Sequence, residues 1–308
     1  MAWFAEHQRN LPWRATKDPW AILLSEILLQ QTQVSRGILF WQRLSSRYPT
    51  VIEMASSTEE EVLHLWQGAG YYSRARRLFQ LSKLVCESSE HGGFDGVLPT
   101  DSKTLKTLPG IGPYTAAAVA SIARGEAVAC VDGNIRRVMA RQTANENPSS
   151  NLVQEWADQS LWKADAGNWN QALMELGATL CTPKRPDCAA CPVQSSCSGM
   201  AEPTRYPAPK VRTKKRLDLM CILRVDENGL PELVQRGSTG ILAGMWGPVM
   251  GESLDVDSLT YLGEVHHVLS HRDMHIRVWK GKVETGVDPK SVPLSSLDVK
   301  ILRLGDID

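Results

Sequence analysis

The segment Leu108–Arg137 constrains the fold more than any other part of the chain. It opens with Leu-Pro-Gly-Ile-Gly, which is too short for regular structure and predicts a tight turn between two helices. Tyr114–Ala123 is rich in alanine and contains no Gly or Pro, which favours a helix. Gly110 and Gly112 are expected to leave backbone N–H groups uncovered at the start of that helix, where a phosphate can bind. Asp132 has N-cap chemistry and predicts the start of a further, basic helix.

A bare Gly-x-Gly is more often a structural turn than a phosphate site, so the rest of the chain must decide between the two.

Trp20–Leu29 is almost continuously apolar and too long for a strand, which predicts a buried helix with Glu26 inside it. Helical segments are also predicted at 34–46, 58–66, 73–88, 101–107, 114–123, 133–142, 151–162 and 168–180. The region 1–200 is therefore predicted to be mainly α-helical.

The composition changes after residue 200. Residues 201–216 hold six Lys or Arg, one Glu and three prolines, which is typical of an extended, exposed linker. Beyond the linker, residues 217–225, 233–236, 263–268 and 275–283 resemble strands, so 217–308 is predicted to be a small α+β domain. The formal net charge is zero, which argues weakly against nucleic acid as a partner, but the linker is strongly basic. Residues 1–14 contain no apolar run of signal-peptide length, and no stretch of the chain reaches the length of a membrane span, so we expect a cytoplasmic protein without a membrane partner.

Four of the seven cysteines lie in one short segment, with the spacing Cys-x6-Cys-x2-Cys-x5-Cys. They are Cys181, Cys188, Cys191 and Cys197. A zinc ribbon usually has two close pairs, so this spacing favours a [4Fe–4S] cluster over zinc. The other three cysteines lie in apolar surroundings and are expected to be buried thiols.

Several motifs together resemble the MutY-type adenine DNA glycosylases of the helix-hairpin-helix, endonuclease-III-like superfamily. The run Ser-Glu-Ile-Leu-Leu-Gln-Gln-Thr-Gln-Val around Glu26 is similar to the catalytic-acid helix of that family. The resemblance implies that Glu26 protonates the base and that Asn134 hydrogen-bonds Asp132. It also implies that Asp132 stabilises the cationic sugar, by its negative charge or by a transient covalent adduct. Tyr114 stands where bifunctional relatives have a lysine that forms a Schiff base, which implies a monofunctional enzyme. The cysteine segment is similar to the iron–sulfur loop of the superfamily.

The same resemblance implies a set of substrate and DNA contacts. Leu11–Arg14 matches a segment of the adenine pocket, and Gly70–Arg74 matches a loop whose tyrosine wedges into the duplex. Gln31 matches the other wedge. Ala69 and Gln171 depart from residues usual in the family, leucine and, in some members, glutamate. The expected contact residues are Trp13, Arg14, Leu29, Gln30, Gln31, Thr32, Tyr71, Gly110, Gly112, Gln171, Ser270 and His271.

The C-terminal domain resembles the MutT/Nudix-like domain that recognises 8-oxoguanine in the family. The Nudix glutamate signature is missing, so we expect a reader of the lesion without hydrolase activity. Ser270 and His271 keep hydrogen-bonding groups, whereas Leu269 replaces an aromatic residue of the family. The histidines nearby have no cysteine or paired acids beside them, which favours strand-face or lesion contacts over a metal site. They are His266, His267, His271 and His275.

The sequence therefore predicts a glycosylase of base excision repair. It would act as a monomer on double-stranded DNA and hydrolyse the N-glycosidic bond of adenine opposite 8-oxoguanine, or opposite guanine. One alternative is an endonuclease-III-like pyrimidine-damage glycosylase with lyase activity, which Tyr114 and the C-terminal domain oppose. The other is a non-catalytic iron–sulfur DNA-binding protein, which the presence of Glu26 and Asp132 opposes.

Overall fold

The structure is a computed structural model that describes residues 1–209 and 213–307. Residues 210–212 of the predicted linker and residue 308 of the predicted C-terminal domain lie outside the described residues. Met1–Glu53 and Gln80–Lys210 form one compact unit, called unit 1 below. Met54–Phe79 and Val211–Asp308 form the other, called unit 2. Each unit combines two separate stretches of the chain, so the units do not test the predicted domain boundaries. Domains at 1–200 and 217–308 therefore remain a prediction.

Helices dominate the first two hundred residues, as the periodicity predicts. Each predicted helical segment has an observed counterpart within a few residues. The helices are α1 Ala2–His7, α2 Pro19–Leu28, α3 Val34–Arg47, α4 Val51–Ala55, α5 Glu59–Trp66, α6 Ser73–Cys86, α7 Ser102–Leu105, α8 Pro113–Arg124, α9 Gly133–Gln142, α10 Ser150–Ser160, α11 Ala166–Thr179 and α12 Ser296–Leu304. Among the described residues, none of these helices is long and apolar enough to cross a membrane.

The core of unit 1 is built around α2 and α8. Asp18 caps α2 by accepting hydrogen bonds from two backbone N–H groups, and Pro19 at the first position has no N–H to satisfy. The helix is buried on nearly all sides, and α8 and α3 both pack against it. The alanine side chains of α8 are small, so neighbouring helices approach its backbone closely. The sequence-based expectation of a buried helix carrying Glu26 is confirmed.

The predicted turn between α7 and α8 is present. Gly110 has a φ of +81°, a left-handed conformation that other residues rarely adopt. Gly112 is the N-cap of α8 with an ordinary φ of −88°, so its conformation does not require glycine. A Cβ at Gly112 would meet no heavy atom within 4 Å, and no side chain caps the helix. The start of α8 is thus bare backbone.

A mixed sheet forms the core of unit 2. The strands of unit 2 are β1 Lys215–Val225, β2 Val234–Gln235, β3 Trp246–Gly247, β4 Val249–Gly251, β5 Thr260–Val268 and β6 Arg272–Lys282. The mixed sheet has the strand order β4–β1–β6–β5, with β1 and β6 parallel and the other pairs antiparallel, while β2 and β3 pair separately. The apolar residues of one face of the mixed sheet pack against α12 and form the core of the unit. The sequence missed β3 and β4 because two or three residues are too few to show a period of two.

Residues 54–79 belong to unit 2 although they precede it by more than a hundred residues in the chain. The indole N–H of Trp246 donates to the Glu60 carboxylate over 2.9 Å. The Arg76 guanidinium donates to the carbonyl of Ser238 over 2.6 Å. These polar contacts join α5 to Trp246 of β3 and α6 to the loop that contains Ser238, a long-range arrangement that local sequence patterns do not reveal.

The first part of the predicted linker differs from a free extended chain. Pro203–Arg205 forms a 3₁₀ turn, and the carbonyls of Pro203 and Tyr206 accept hydrogen bonds from the buried Arg141 guanidinium. The proline content predicted an open chain because prolines disfavour regular structure. In the structure, the carbonyls of Pro203 and Tyr206 instead order this segment by accepting hydrogen bonds from Arg141 on α9.

A buried ion pair fixes α12 to the rest of unit 2. The Asp298 carboxylate is fully buried and accepts from the Arg236 guanidinium at 2.6 and 3.0 Å. It also accepts from the backbone N–H of Ser295, which completes a capping box at the start of α12. Removing one charge would leave the other buried without its ion-pair partner.

Asp298→Asn should therefore destabilise unit 2 by about 3–5 kcal/mol, the usual effect of breaking a buried pair. Hydrogen exchange of the β1 and β6 amides at neutral pH measures this locally. The matched control is Asp288→Asn, which changes an exposed cap of a short 3₁₀ turn and should cost less than about 1 kcal/mol. Equal exchange rates in the two variants would contradict the role given to the buried pair.

Candidate active site

A cavity of about 750 Å³ lies in unit 1, between the end of α2 and the facing sides of α8, α9 and α11. Its lining combines aromatic, carboxylate and amide side chains. The sequence-predicted residues that line it are Trp13, Arg14, Glu26, Leu29, Gln30, Gln31, Thr32, Tyr114, Asp132, Asn134 and Gln171. Residues from five separate parts of the chain are thereby brought to one cavity.

Glu26 lies on the wall of this cavity and is only 7% exposed. Burial raises the pKa of its carboxyl group from 4.5 to about 7, because desolvation disfavours the charged form. The Tyr114 hydroxyl donates a hydrogen bond to the Glu26 carboxylate over 2.6 Å, which opposes part of this rise in pKa. At neutral pH the group is therefore divided between its protonated and ionised forms.

Asp132 lies on the same cavity and caps α9, as the sequence predicts. Its carboxylate accepts from the backbone N–H of Ile135 and from the side-chain amide of Asn134, both over 2.7 Å. Burial raises the pKa of Asp132, and these two hydrogen bonds oppose the rise. The position of the carboxylate is thus fixed from two sides.

Asn134 is held in turn by the next turn of α9. Arg137 donates to the Asn134 side-chain carbonyl over 2.8 Å and to the backbone carbonyl of Cys181 over 2.7 Å. A Cβ at Gly177 on α11 would lie 2.5 Å from the Cβ of Asn134, so glycine permits the close contact of α9 and α11. The Asp132 carboxylate is therefore connected through hydrogen bonds to the backbone of the cysteine segment.

Sequence reasoning missed Arg9 and Glu175, which also line the cavity. The Glu175 carboxylate is fully buried and accepts hydrogen bonds from the guanidinium groups of Arg9 and Arg14 over 2.8 Å. Burial alone would raise the pKa of Glu175, but the two arginines outweigh it and lower the pKa to about 2. Glu175 therefore stays ionised at neutral pH.

One sequence signal pointed to Glu175. Gln171, Met174, Glu175 and Ala178 follow the helical spacing of i, i+3, i+4 and i+7, so they share one face of α11. An acidic residue on a face that begins with a predicted pocket residue was a candidate for the same pocket. Arg9 gave no such signal, because it lies outside a helix in the segment between α1 and the Pro12–Ala15 turn.

Other predicted contact residues lie away from the cavity. Gly110 and Gly112 are on the turn before α8, outside the cavity lining. Tyr71, Ser270 and His271 belong to unit 2, where the Tyr71 hydroxyl and the Ser270 hydroxyl are hydrogen-bonded to each other. The structure therefore brings together a residue predicted to wedge into DNA and one predicted to contact the lesion.

The two predicted wedge residues share an unusual backbone conformation. Gln31 has a φ of +60° and Tyr71 a φ of +49°, both in the left-handed region that favours glycine. Tyr71 is 38% exposed, although large aromatic side chains are mostly buried. Strained backbone at a non-glycine residue persists only where surrounding structure enforces it and is frequent at functional sites.

The four clustered cysteines line a second, smaller cavity of unit 1. Cys181 follows α11, and the other three lie in the loop around the Gln194–Ser196 turn. The buried Arg141 guanidinium donates to the Cys181 sulfur over 3.2 Å. It also donates to the backbone carbonyls of Thr182, Pro183, Pro203 and Tyr206. A single guanidinium thus organises the backbone around the cysteines.

Four thiols around one cavity match the donor set of an iron–sulfur or zinc site. The positively charged Arg141 guanidinium, which donates to the Cys181 sulfur, suits the negative charge of a thiolate-bound centre. The remaining cysteines, Cys86, Cys130 and Cys221, do not line this cavity. Cys130 and Cys221 are buried free thiols, as expected, whereas Cys86 is a free thiol that is only partly buried.

The chain was compared with protein-family models, curated proteins and solved structures. Residues 24–161 match the model of the HhH-GPD superfamily base excision DNA repair proteins. The structure is similar to that of a thermostable thymine-DNA glycosylase, with a TM-score of 0.60 and 29% sequence identity, over 65% of this chain and 93% of that chain. This similarity agrees with the helix-hairpin-helix fold predicted from the sequence.

The adenine DNA glycosylase of Homo sapiens is 44% identical over 211 residues, which are 64% of this chain and 38% of that protein. The chain likewise spans 40% of the length of the Mus musculus relative. The adenine DNA glycosylase of Rattus norvegicus is 34% identical over 374 aligned positions, which cover 96% of this chain and 71% of that protein. The chain belongs to the adenine DNA glycosylase family.

Proposed function

We propose that the protein is a monofunctional DNA glycosylase that hydrolyses the N-glycosidic bond of adenine opposite 8-oxoguanine, or opposite guanine, in double-stranded DNA. The observation that carries this proposal is the Glu26 carboxyl group, which is buried on a cavity wall with a pKa near 7. A general acid is most effective when its pKa lies near the working pH. The cavity volume of about 750 Å³ falls in the range of roughly 300–1,000 Å³ that is usual for ligand pockets.

Glu26 acts first as the acid. It transfers its proton to N7 of an adenine flipped into the cavity, and the C1′–N9 bond then breaks with its electron pair moving to the base. The product is neutral adenine and a cationic sugar. The ionised Glu26 that remains then accepts a proton from water as the water adds to C1′, which restores the protonated acid.

Asp132 stabilises the cationic sugar. Its pKa is raised by burial, but the hydrogen bonds from Ile135 and Asn134 favour the charged form that this role requires. The two carboxyl groups thus lie in different environments, since Glu26 accepts a hydrogen bond from Tyr114 and Asp132 accepts from Ile135 and Asn134. This division of roles between two acids in different environments is common in glycosidic-bond hydrolysis.

Tyr114 supports a hydrolytic enzyme without lyase activity. A lyase of the endonuclease III kind needs an amine at the sugar, and no lysine is among the described residues that line the cavity. A tyrosine hydroxyl cannot form an imine, and here it is hydrogen-bonded to Glu26. The alternative of a pyrimidine-damage glycosylase with lyase activity is therefore disfavoured.

DNA contacts are proposed from three features of the chain. The uncapped start of α8 at Gly112 offers bare N–H groups to a phosphate. Gln31 and Tyr71 are the proposed wedges, each held by a left-handed backbone. Residues 217–308 are the proposed MutT-like reader, in which Ser270 and His271 contact 8-oxoguanine. The protein would act as a monomer in the cytoplasm, and in a bacterial host it would be associated with the nucleoid.

The four cysteines are proposed to hold a [4Fe–4S] cluster. Cys181, Cys188, Cys191 and Cys197 would be its ligands, and the guanidinium of Arg141 would stabilise the thiolate of Cys181. Such a cluster supplies structural order and charge when bound. The hydrogen bonds from Arg137 then connect this ordered loop to Asn134 and Asp132.

Glu26→Gln should abolish adenine release, because an amide has no proton of suitable acidity to transfer. Single-turnover assays on an A opposite 8-oxoguanine duplex, followed by alkali, measure the release. In the wild type the rate should fall as the pH rises through about 7, since the acid is then ionised. A variant rate near that of the wild type would show that another group is the acid.

The Gln variant should also remain folded and bind the duplex. Burial raises the pKa of Glu26 in the folded state, so its contribution to stability is complete below the unfolded value and is lost as the pH rises through about 7. At pH 8 the variant should therefore melt at a higher temperature than the wild type. At pH 4 this difference should disappear.

Tyr114→Phe should move the alkaline limb of the pH–rate profile to higher pH. The Tyr114 hydroxyl lowers the pKa of Glu26, so removing the hydroxyl lets that pKa rise. Borohydride should trap neither the variant nor the wild type on DNA, since both lack an amine in the cavity. An unmoved limb, or efficient trapping, would contradict the assignment of Tyr114.

Cys191→Ser should lower the iron content of the purified protein, because it removes one of the four proposed ligands. Iron, sulfide and zinc analysis together with the visible absorption spectrum measure this. Cys86→Ser is the matched control, since Cys86 lies outside the cysteine cavity and its loss should leave the iron unchanged. A colourless wild-type protein that carries zinc would show that the loop is a zinc site.

A further inference from the structure

Three side chains converge on the exposed face of the sheet in unit 2. They are His266 on β5 and Asp273 and His275 on β6. One ligand atom from each residue lies within 4.8 Å of the other two. The His275 Nε2 is 3.6 Å from the Asp273 carboxylate, and the His266 Nε2 is in direct contact with the same carboxylate oxygen. From this geometry we infer that the three residues form a binding site for a divalent transition-metal ion.

The strand pairing explains why these side chains meet. His266 and His275 are direct partners in the antiparallel β5–β6 ladder, and their ring centroids are 4.7 Å apart. Asp273 is two residues before His275, so it projects from the same face of β6. His267, by contrast, points to the opposite face and is buried. The site is therefore built on two paired strands, which position ligands more rigidly than loops do.

The distances need only small changes to suit a metal ion. Zinc bonds to histidine nitrogen and carboxylate oxygen are about 2.0–2.2 Å, which places the ligand atoms of a tetrahedral site roughly 3.3–3.5 Å apart. The side chains of His266, Asp273 and His275 are 56%, 37% and 35% exposed, so each has room to rotate and the ion has access from solvent. Water would complete the coordination.

The donor set selects the class of metal. Two imidazoles and one carboxylate suit zinc, copper, nickel and cobalt, whereas magnesium and calcium prefer oxygen ligands. The sequence disfavoured a metal because the histidines lack cysteines or paired acids nearby. The structure shows that Asp273 alone supplies the third ligand, through the strand pairing of β5 and β6.

Metal binding at this site can be detected locally, because the site lies next to the turn between β5 and β6. The turn Leu269–His271 connects the two strands, and the Leu269 N–H donates to the Arg272 carbonyl over 2.9 Å. A metal bound to one residue of β5 and two of β6 would crosslink the strands next to this turn. Their backbone amides should then exchange with solvent more slowly.

The test uses the purified protein with its cysteine loop in the native state. Isothermal titration with Zn²⁺ should show one saturable site, and Cu²⁺ should give an electron paramagnetic resonance spectrum with coupling to two nitrogens. His266→Gln, Asp273→Asn and His275→Gln should each weaken Zn²⁺ binding at least about tenfold. Zn²⁺ should slow amide exchange in β5 and β6 of the wild type but not of these three variants.

His271→Gln is the matched control, because this histidine lies in the same hairpin but outside the cluster and should leave Zn²⁺ affinity unchanged. Circular dichroism checks that the substitutions, all at solvent-accessible positions, keep the fold. Binding that survives all three ligand substitutions would overturn the inference. So would a wild type without saturable Zn²⁺ binding, in which case the Asp273 carboxylate only bridges two imidazoles.

Discussion

The proposed chemistry depends on the burial of one carboxyl group, that of Glu26. Glu26 sits in an apolar helix with little access to water, and desolvation moves its pKa to about 7. The Tyr114 hydroxyl keeps this rise within the range in which a proton can be both given and taken back. A more exposed carboxyl group would be ionised at neutral pH, and one without Tyr114 would release its proton less readily.

The polar groups around Glu26 are held in place by partners outside the cavity. Arg9 and Arg14 form ion pairs with Glu175, which stays ionised at neutral pH. These ion pairs hold the buried carboxylate in a fixed position on the cavity wall. On the other side, Asn134 and Arg137 connect Asp132 to the cysteine segment. The site thus depends on hydrogen bonds between distant parts of the chain, which preserve its geometry without a substrate.

Much of this arrangement was predictable from sequence, and most of the exceptions share one cause. Helical periodicity located the helices, and the motifs around Glu26 and Asp132 located residues that the structure places on one cavity. Arg9 and the cluster at Asp273 were missed because they depend on contacts between distant residues or on strand register, whereas helical spacing from Gln171 pointed to Glu175. Local patterns record propensity and periodicity, but they do not record which segments become neighbours.

The most direct measurement is the protonation of Glu26 itself. Infrared difference spectra of wild type and the Gln variant across pH isolate the carbonyl band of a protonated Glu26 carboxyl group. A midpoint near 7 is predicted, because burial disfavours the charged form. A midpoint near 4.5, the value of an exposed glutamate, would contradict the account, because Glu26 would then be ionised at neutral pH.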